Sequence, residues 1–383
     1  MPFYQSKGKI PSKRHTILKK EDGKSIYYEE LISREGFSNL YSNVYHIHMP
    51  TQLQKASSLI KSKEIPAHSD YKHRHLETSR IKTTGNIVDS RVKLFYNENV
   101  SISTSRITEE ADYFYKNGHH DELIYIQSGE GSFESNFGKM QIQPGDYLII
   151  PRGVVWKISN IKKLNCLVIE SKSPIRTPKR YRNNFGQLME HSPFCERDIT
   201  VPSLLDPVDE IGNFTINVKY ANGTQSYTYK NHPFDIVGWD GYYFPWKLNI
   251  NDFEPITGSI HQPPPVHQTF EGDGFVVCSF VSRLFDYHPD AIPAPYPHSN
   301  IDSDELIYYS KGNFMSRKGI SKESITHHPM GLPHGPQPGR YEESIGKKKT
   351  DELAVMVDTF KSLIPASACL KHEDKNYYKS WVK

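Results

Sequence analysis

Four cysteines in 383 residues (Cys166, Cys195, Cys278 and Cys369) are too few and too scattered for a disulfide framework, and no CxxC pair is present. No run of 18 apolar residues occurs, and the opening MPFYQSKGKIPSKRH lacks the apolar stretch of a secretory leader. Net charge is equally scarce, +3 with the basic residues dispersed, which leaves no electrostatic footprint for nucleic acid. Together these absences predict a cytoplasmic protein that neither enters a membrane nor binds nucleic acid. Long helices are disfavoured by 26 prolines. What the chain has in plenty is aromatic side chains, 24 Tyr and 18 Phe, a composition suited to sheets and π-faced pockets. With 24% charged and 36% apolar residues, it can bury a large core.

The most informative feature is an internal echo. Asp121-Glu122-Leu123-Ile124-Tyr125 and Asp304-Glu305-Leu306-Ile307-Tyr308 spell the same five residues, and each glutamate is followed seven positions later by glycine, Gly129 and Gly312. Downstream, Pro151-Arg152-Gly153-Val154-Val155-Trp156 and Pro329-Met330-Gly331-Leu332-Pro333-His334 share the frame Pro-x-Gly-x-x-ring. Two units built alike predict two copies of one architecture. They differ at the last ring, Trp156 in one and His334 in the other.

That difference reads as metal chemistry. Side chains alternate along a strand, so Glu305, Ile307 and Tyr309 share a face. His298 precedes this strand, and His334 follows a Pro/Gly turn that starts a later one. In a small jelly-roll barrel such positions converge on the interior. Two imidazoles and one carboxylate form the 2-His-1-carboxylate set of non-haem Fe(II) oxygenases. The first unit keeps Glu122 but has Tyr115, Asn117 and Trp156 where the second has His298, Asn300 and His334, so it is expected to bind no metal.

Short β-type runs at 92–96, 101–103, 122–126, 137–142 and 145–150, with turn residues between them, predict a sandwich or barrel. Residues 1–55 read as an ordered Tyr-rich arm, 56–90 as a variable surface segment, and 170–210 as a connector. The string HPFDIVGWDGYYFPWKLNINDF predicts a tightly packed segment. The prolines of IHQPPPVHQ place His261 and His267 on a rigid loop. Thr350-Asp351-Glu352 reads as an N-cap with an acidic first turn, predicting a helix over 350–360. The aromatic tail around Tyr377, Tyr378 and Trp381 is expected to dock. The fold class is mainly β, bicupin-like jelly-roll barrels with a few short helices. An N-terminal domain over 1–256 would hold the degenerate unit and a C-terminal one over 257–383 the metal.

Long strings carry a resemblance beyond these motifs: YYEELISREGFSNLYSNVYHIH, HPFDIVGWDGYYFPWKLNINDF, IHQPPPVHQTF, APYPHSNIDSDELIYY and PHGPQPGRYE. In them the chain resembles the homogentisate 1,2-dioxygenase family, in its shorter, bacterial-type branch. The resemblance implies a cupin-type fold, a trimer-based assembly (trimer or hexamer), and Fe(II)-dependent opening of homogentisate by O2 to maleylacetoacetate in tyrosine and phenylalanine catabolism. The family's iron ligands fall on His298, Glu305 and His334, and its substrate-facing tyrosine on Tyr296. Its second active-site histidine falls on His328, and its catalytic base on His267, with His261 as a rival on the same loop. Phe314 stands at a substrate-contacting position where the family has tyrosine. Six residues separate His298 from Glu305, one more than in the animal enzymes. A cationic partner for the substrate carboxylate is expected among Arg283, Arg317 and Arg340. Two other readings stay open: a dioxygenase for another hydroquinone or gentisate-like ring, and a non-catalytic bicupin that binds a small molecule.

Overall fold

The strand Asp121–Ser135 is the axis of the first unit. It pairs antiparallel with Asp146–Ile150 on one side and Trp156–Ser171 on the other. Trp246–Asn249 lies beyond the former, and Val100–Arg106 then Val92–Tyr96 beyond the latter. The second unit repeats this order around Asp304–Lys311, which pairs with Ser324–His328 and Leu353–Thr359. Arg74–Glu77 lies beyond the first neighbour, and Phe275–Phe280 then Gln268–Gly272 beyond the second. The computed structural model describes all residues except 1, 2, 36–38, 63–69, 263, 313 and 383. Its architecture is the expected one: mainly β, two cupin-type barrels, few short helices.

The echo in sequence is an echo in register. Glu122 lies between Ile150 and Glu170, and Glu305 between His328 and Asp358. Tyr115 pairs with Trp156 at the place where His298 pairs with His334. The paired glycines are required by close approach. Gly129 and Gly312 have φ of +87° and +99°, and a Cβ there would sit 2.4 Å from the Lys162 carbonyl oxygen or 2.7 Å from that of Asp351.

Both central strands are buried on both faces, so they read as continuous apolar runs. The face carrying Leu306 and Tyr308 packs into one core with Leu123, Tyr125, Tyr147 and Leu167 of the first unit. Polar groups pair across this seam. The Tyr125 hydroxyl meets Ser310 Oγ at 2.7 Å, Gln127 Nε2 donates to the Ser310 carbonyl at 3.1 Å, and Tyr147 meets Ser279 Oγ at 2.8 Å. The N-terminal arm is ordered as expected. Gln5–Gly8, Tyr41–His46 and Tyr28–Ser33 form a four-stranded sheet with Ile236–Gly241. Trp239, Phe244 and Trp246 of the aromatic string are fully buried.

Three expectations are corrected. Residues 353–359 are a strand, not part of a helix. Val355 and Val357 pack between the flanking strands, and sheet pairing on both edges overrides the capping signal at Thr350. The segment 56–90 is not all variable surface, because Arg74–Glu77 completes the metal-bearing sheet and Arg74 lies buried on Glu373 at 2.6 Å. The division at 256/257 is crossed twice. Strand Arg74–Glu77 belongs to the second sheet, and Ile364–Pro365 returns to pair with Val92–Tyr96 in the first. Among the described residues no helix is long and apolar enough to cross a membrane.

The seam makes a stability prediction. Tyr125→Phe leaves Ser310 Oγ without its buried partner and should cost about 1–2 kcal/mol in denaturant unfolding. Adding Ser310→Ala should cost less than the sum of the single changes, because the two groups satisfy each other.

Candidate metal centre

His298, Glu305 and His334 offer donor atoms that all lie within 4.8 Å of one another. His298 Nε2 is 3.9 Å from Glu305 Oε2, and His334 Nε2 is 3.6 Å from Glu305 Oε1. Each histidine is oriented by its own backbone. His298 Nδ1 donates to the Tyr296 carbonyl at 3.1 Å and His334 Nδ1 to the Leu332 carbonyl at 3.0 Å. A carbonyl can only accept, so Nδ1 carries the proton and the Nε2 lone pair faces the third donor. The His298–His334 bridge, 2.8 Å and 2.9 Å in its two hydrogen bonds, locks the two imidazoles side by side.

His334 Nε2 is buried and has no hydrogen-bond partner. An orphaned acceptor beside a carboxylate is costly unless a cation joins them. The donor set therefore fits a divalent transition metal held on one face, with the opposite side left open.

The Asp of each DELIY run positions the turn that carries the last ring. Asp304 accepts from His327 Nε2 at 2.8 Å, from the Met330 N–H at 2.9 Å and from the Leu363 N–H at 2.8 Å. Asp121 accepts the Arg152 and Ile175 N–H groups, both at 3.3 Å, in the corresponding places. In the second unit this pins the Pro329 turn, and hence His334, to the strand that carries Glu305.

Glu305, Ile307 and Tyr309 line a cavity of about 480 Å³, as the strand alternation predicts. Ala354, Met356 and Asp358 come from the neighbouring strand, and His267, Phe280, Arg283, Phe314 and Arg317 close the walls. A space of this size with an apolar wall and a few polar groups suits a small ring ligand. His267 is buried with Nδ1 unpartnered. Burial, then the charges of Arg283 and His261, lowers its pKa to about 3, so it is neutral at any physiological pH. His261 lies at the rim, 3.8 Å from Asp286, with its side chain 40% exposed. Tyr296 is half exposed at the mouth, its ring 5.3 Å from that of His261. Phe314 packs edge-on against Tyr309, ring centroids 4.3 Å apart.

His328 is placed differently from the expectation. It is fully buried, is absent from the described cavity lining, and holds Glu305 Oε1 through Nδ1 at 2.7 Å. Its ring stacks on His334 with centroids 4.6 Å apart. It stands behind the ligands because its strand is the register partner of Glu305. Burial alone would raise the Glu305 carboxyl, but the His328 and His334 imidazoles hold it well below the usual range. Asp358, opposite Glu305 on the other flank, is pushed well above that range by burial and the Glu305 charge.

Sequence reasoning did not single out Asp358, His73 or the ligand-side role of Trp381. Asp358 was hidden by the helix expectation, although its alternation with Met356 and Ala354 carried the signal. His73 lies in the segment read as variable. Its Nε2 donates to the Pro333 carbonyl at 3.0 Å, and its ring meets those of His328 and His334. Trp381 Nε1 donates to the Gly335 carbonyl at 3.0 Å, so the docked tail also braces the ligand-bearing turn.

In the first unit the cation facing the glutamate is part of the protein. Arg91 donates to Glu122 Oε1 at 2.6 Å, with the Tyr115 hydroxyl at 3.2 Å and Asn117 Nδ2 at 3.1 Å on the same oxygen. Its guanidinium lies 5.5 Å from the Tyr115 ring centroid. Lys219 neutralises the neighbouring Glu170, whose nearer oxygen is 2.5 Å away. Trp156 packs over this network, ring to ring with Tyr115 at 5.1 Å.

Two glutamates at one register position should therefore behave oppositely. Glu305→Ala should abolish bound metal while leaving the fold. Glu122→Ala should leave metal content unchanged but strand the buried Arg91, at a cost of about 3–5 kcal/mol. Metal content by mass spectrometry and denaturant midpoints check both. Equal metal loss in the two variants would overturn the one-metal reading.

A family profile described as homogentisate 1,2-dioxygenase N-terminal matches residues 44–250. A Saccharolobus solfataricus protein named provisionally as a dioxygenase is 44% identical over 386 residues, covering 100% of this chain and 99% of that one. Human (Homo sapiens) homogentisate 1,2-dioxygenase is 25% identical over 292 residues, covering 70% of this chain and 63% of that protein. The Bradyrhizobium diazoefficiens enzyme of the same name is 25% identical, covering 65% and 57%. The chain thus matches less than two thirds of the length of either named enzyme. Among solved structures, a cupin 2 conserved barrel domain protein from Leptotrichia buccalis is 11% identical with a TM-score of 0.35, covering 78% of this chain and 99% of that one. The chain belongs to the homogentisate 1,2-dioxygenase family.

Proposed function

We propose that the protein is an Fe(II)-dependent ring-cleaving dioxygenase that converts homogentisate and O2 to maleylacetoacetate. The observation that carries this reading is the donor triad: two backbone-oriented imidazoles and a carboxylate, one imidazole nitrogen orphaned, opening on a cavity with a neutral buried histidine in its wall. Ferrous iron held there supplies the electron path by which an electron-rich ring reacts with O2, and as a Lewis acid it lowers the pKa of a ring hydroxyl.

The rest is done by the chain. Ile307, Met356, Phe280 and Phe314 give the ring an apolar wall and exclude water. His267 is neutral and its Nδ1 has no partner, so that nitrogen can accept the phenolic proton. Its low pKa reflects burial and the charge of Arg283. An anionic ring placed beside it raises its proton affinity at the moment of transfer. His328 acts as a positioning residue through Glu305, and Asp304 through the Pro329 turn. Tyr296 at the mouth is placed to contact the outer edge of a bound ring.

A second reading, another hydroquinone or gentisate-like ring, is favoured by one observation: Phe314 brings no hydroxyl to the wall where the family has one. A non-catalytic bicupin is disfavoured, because a purely structural second unit has no use for a buried, unpartnered His334 Nε2.

Anaerobic loading with Fe(II), followed by oxygen-electrode assay with homogentisate and its ring relatives, tests the reading. O2 uptake with a new near-ultraviolet absorbance is expected for homogentisate, and no uptake with any ring would sink the enzyme reading. His267→Phe should keep near-normal iron and slow ring opening by about 10²–10⁴-fold. The defect should ease as pH rises, since solvent base can then take the proton. His261→Phe should be mild. The reverse pattern would move the base to His261.

A further inference from the structure

Among the described residues the cavity holds one arginine without a direct carboxylate partner, although the Glu305 charge acts on it from farther away. Arg317 is 6% exposed and lines the cavity beside the triad. Its guanidinium is fixed by donation to the Gly335 carbonyl, next to His334, and lies 5.6 Å from the Trp381 ring centroid. Nε is buried without a partner. Among the described residues Arg283 has Glu352 at 3.8 Å and Arg340 has Glu343 at 3.0 Å, the latter pair away from the cavity. Arg317 alone of the three has no carboxylate oxygen within 4.0 Å. A buried guanidinium costs stability unless an anion meets it, and its planar fork matches a carboxylate.

We infer that Arg317 is the anion anchor of the cavity, the residue that binds the carboxylate of the ring acid. The ring of that acid lies on Ile307, Phe314 and Met356. This rests on the dioxygenase reading, which already makes the ligand a ring acid, and adds to it the residue that selects for the carboxylate. Arg283 is the weaker candidate because Glu352 already shares its charge. Arg317 is also pre-ordered: Trp381 Nε1 and the guanidinium share the Gly335 carbonyl, so little side-chain entropy is lost when the ligand binds.

The test uses ligands that cannot react. Binding of phenylacetate and of 2-phenylethanol, which differ in the carboxylate, is measured by isothermal titration on Zn(II)-loaded protein without O2. The acid should bind roughly 10- to 100-fold more tightly than the alcohol, as a charge-assisted pair predicts. Arg317→Gln should erase that difference, Arg317→Lys should retain part of it, and Arg283→Gln should retain most of it. Equal binding of acid and alcohol, or a preference that survives Arg317→Gln, would overturn the assignment. A preference lost only in Arg283→Gln would also overturn it and move the anchor to Arg283. Should Arg317→Gln fail to fold, Arg317→Lys decides, and an undiminished preference there counts against the anchor. Oxygen uptake with homogentisate by the wild-type protein is a separate readout, so failure of the ring-opening reading stays distinguishable from failure of the anchor.

Discussion

A buried glutamate at the start of a central strand requires a cation, and much of this molecule is arranged around the two ways of supplying one. Glu122 is fully buried and receives the Arg91 guanidinium. Glu305 is nearly as buried and faces the Nε2 atoms of His298 and His334, the latter buried without a hydrogen-bond partner. In the first arrangement the chain itself supplies the cation. In the second, on the proposed reading, a metal supplies it, and the open side is the cavity. Duplication of one barrel therefore yields one unit whose charge is settled internally and one whose charge remains available for chemistry. The switch between them is small in sequence: Tyr115 against His298, Trp156 against His334, and an arginine reaching in from outside the repeated strings.

The echo exposed the pairing of units, the strand faces and the triad because all three are local consequences of alternation and spacing. Glu305, Ile307 and Tyr309 do share the cavity face, and the Pro-x-Gly frames do end in rings that pair across to positions 115 and 298. What the sequence could not expose was contact between segments far apart in it. Arg74–Glu77 enters the second sheet across roughly 250 residues, in a stretch whose Lys, Ser and His content reads as surface. Arg91 carries no local mark of its task. The strand 353–359 failed for a different reason. Ala354 and Met356 favour helix, Val355 and Val357 favour strand, and sheet partners on both edges decided between them. The error hid Asp358, which meets Glu305 only once the strand is paired.

His328 shows where resemblance and geometry separate. The motif places it beside the ligands, and it is beside them, yet behind rather than in front. Its Nδ1 contact with Glu305 and its stacking on His334 make it part of the mounting. His267, by contrast, has one ring nitrogen free in a wall of the cavity, with the Ser279 and Thr269 hydroxyls linking its strand to Tyr147 of the first unit. The base candidate is thereby fixed relative to both barrels.

The mounting of His334 shows why the metal-bearing unit does not stand as a separable domain. The Pro333 carbonyl is held by His73 from the N-terminal third of the chain, and the Gly335 carbonyl by Arg317 and by Trp381 near the end. Asp304 ties the start of the same turn to the Glu305 strand. Three segments remote in sequence thus fix the two peptide units on either side of one ligand. Holding donor atoms 3.6–3.9 Å apart requires a backbone that cannot relax away from the repulsion of their lone pairs. Distributing the restraint over an N-terminal strand, a cavity arginine and a C-terminal aromatic supplies that rigidity, and it explains why the chain crosses between the barrels at residues 74–77 and 364–365 rather than closing each on its own. Preorganisation of the triad is a property of the whole fold, which is the condition a ring-opening site needs if binding energy is not to be spent on assembling it.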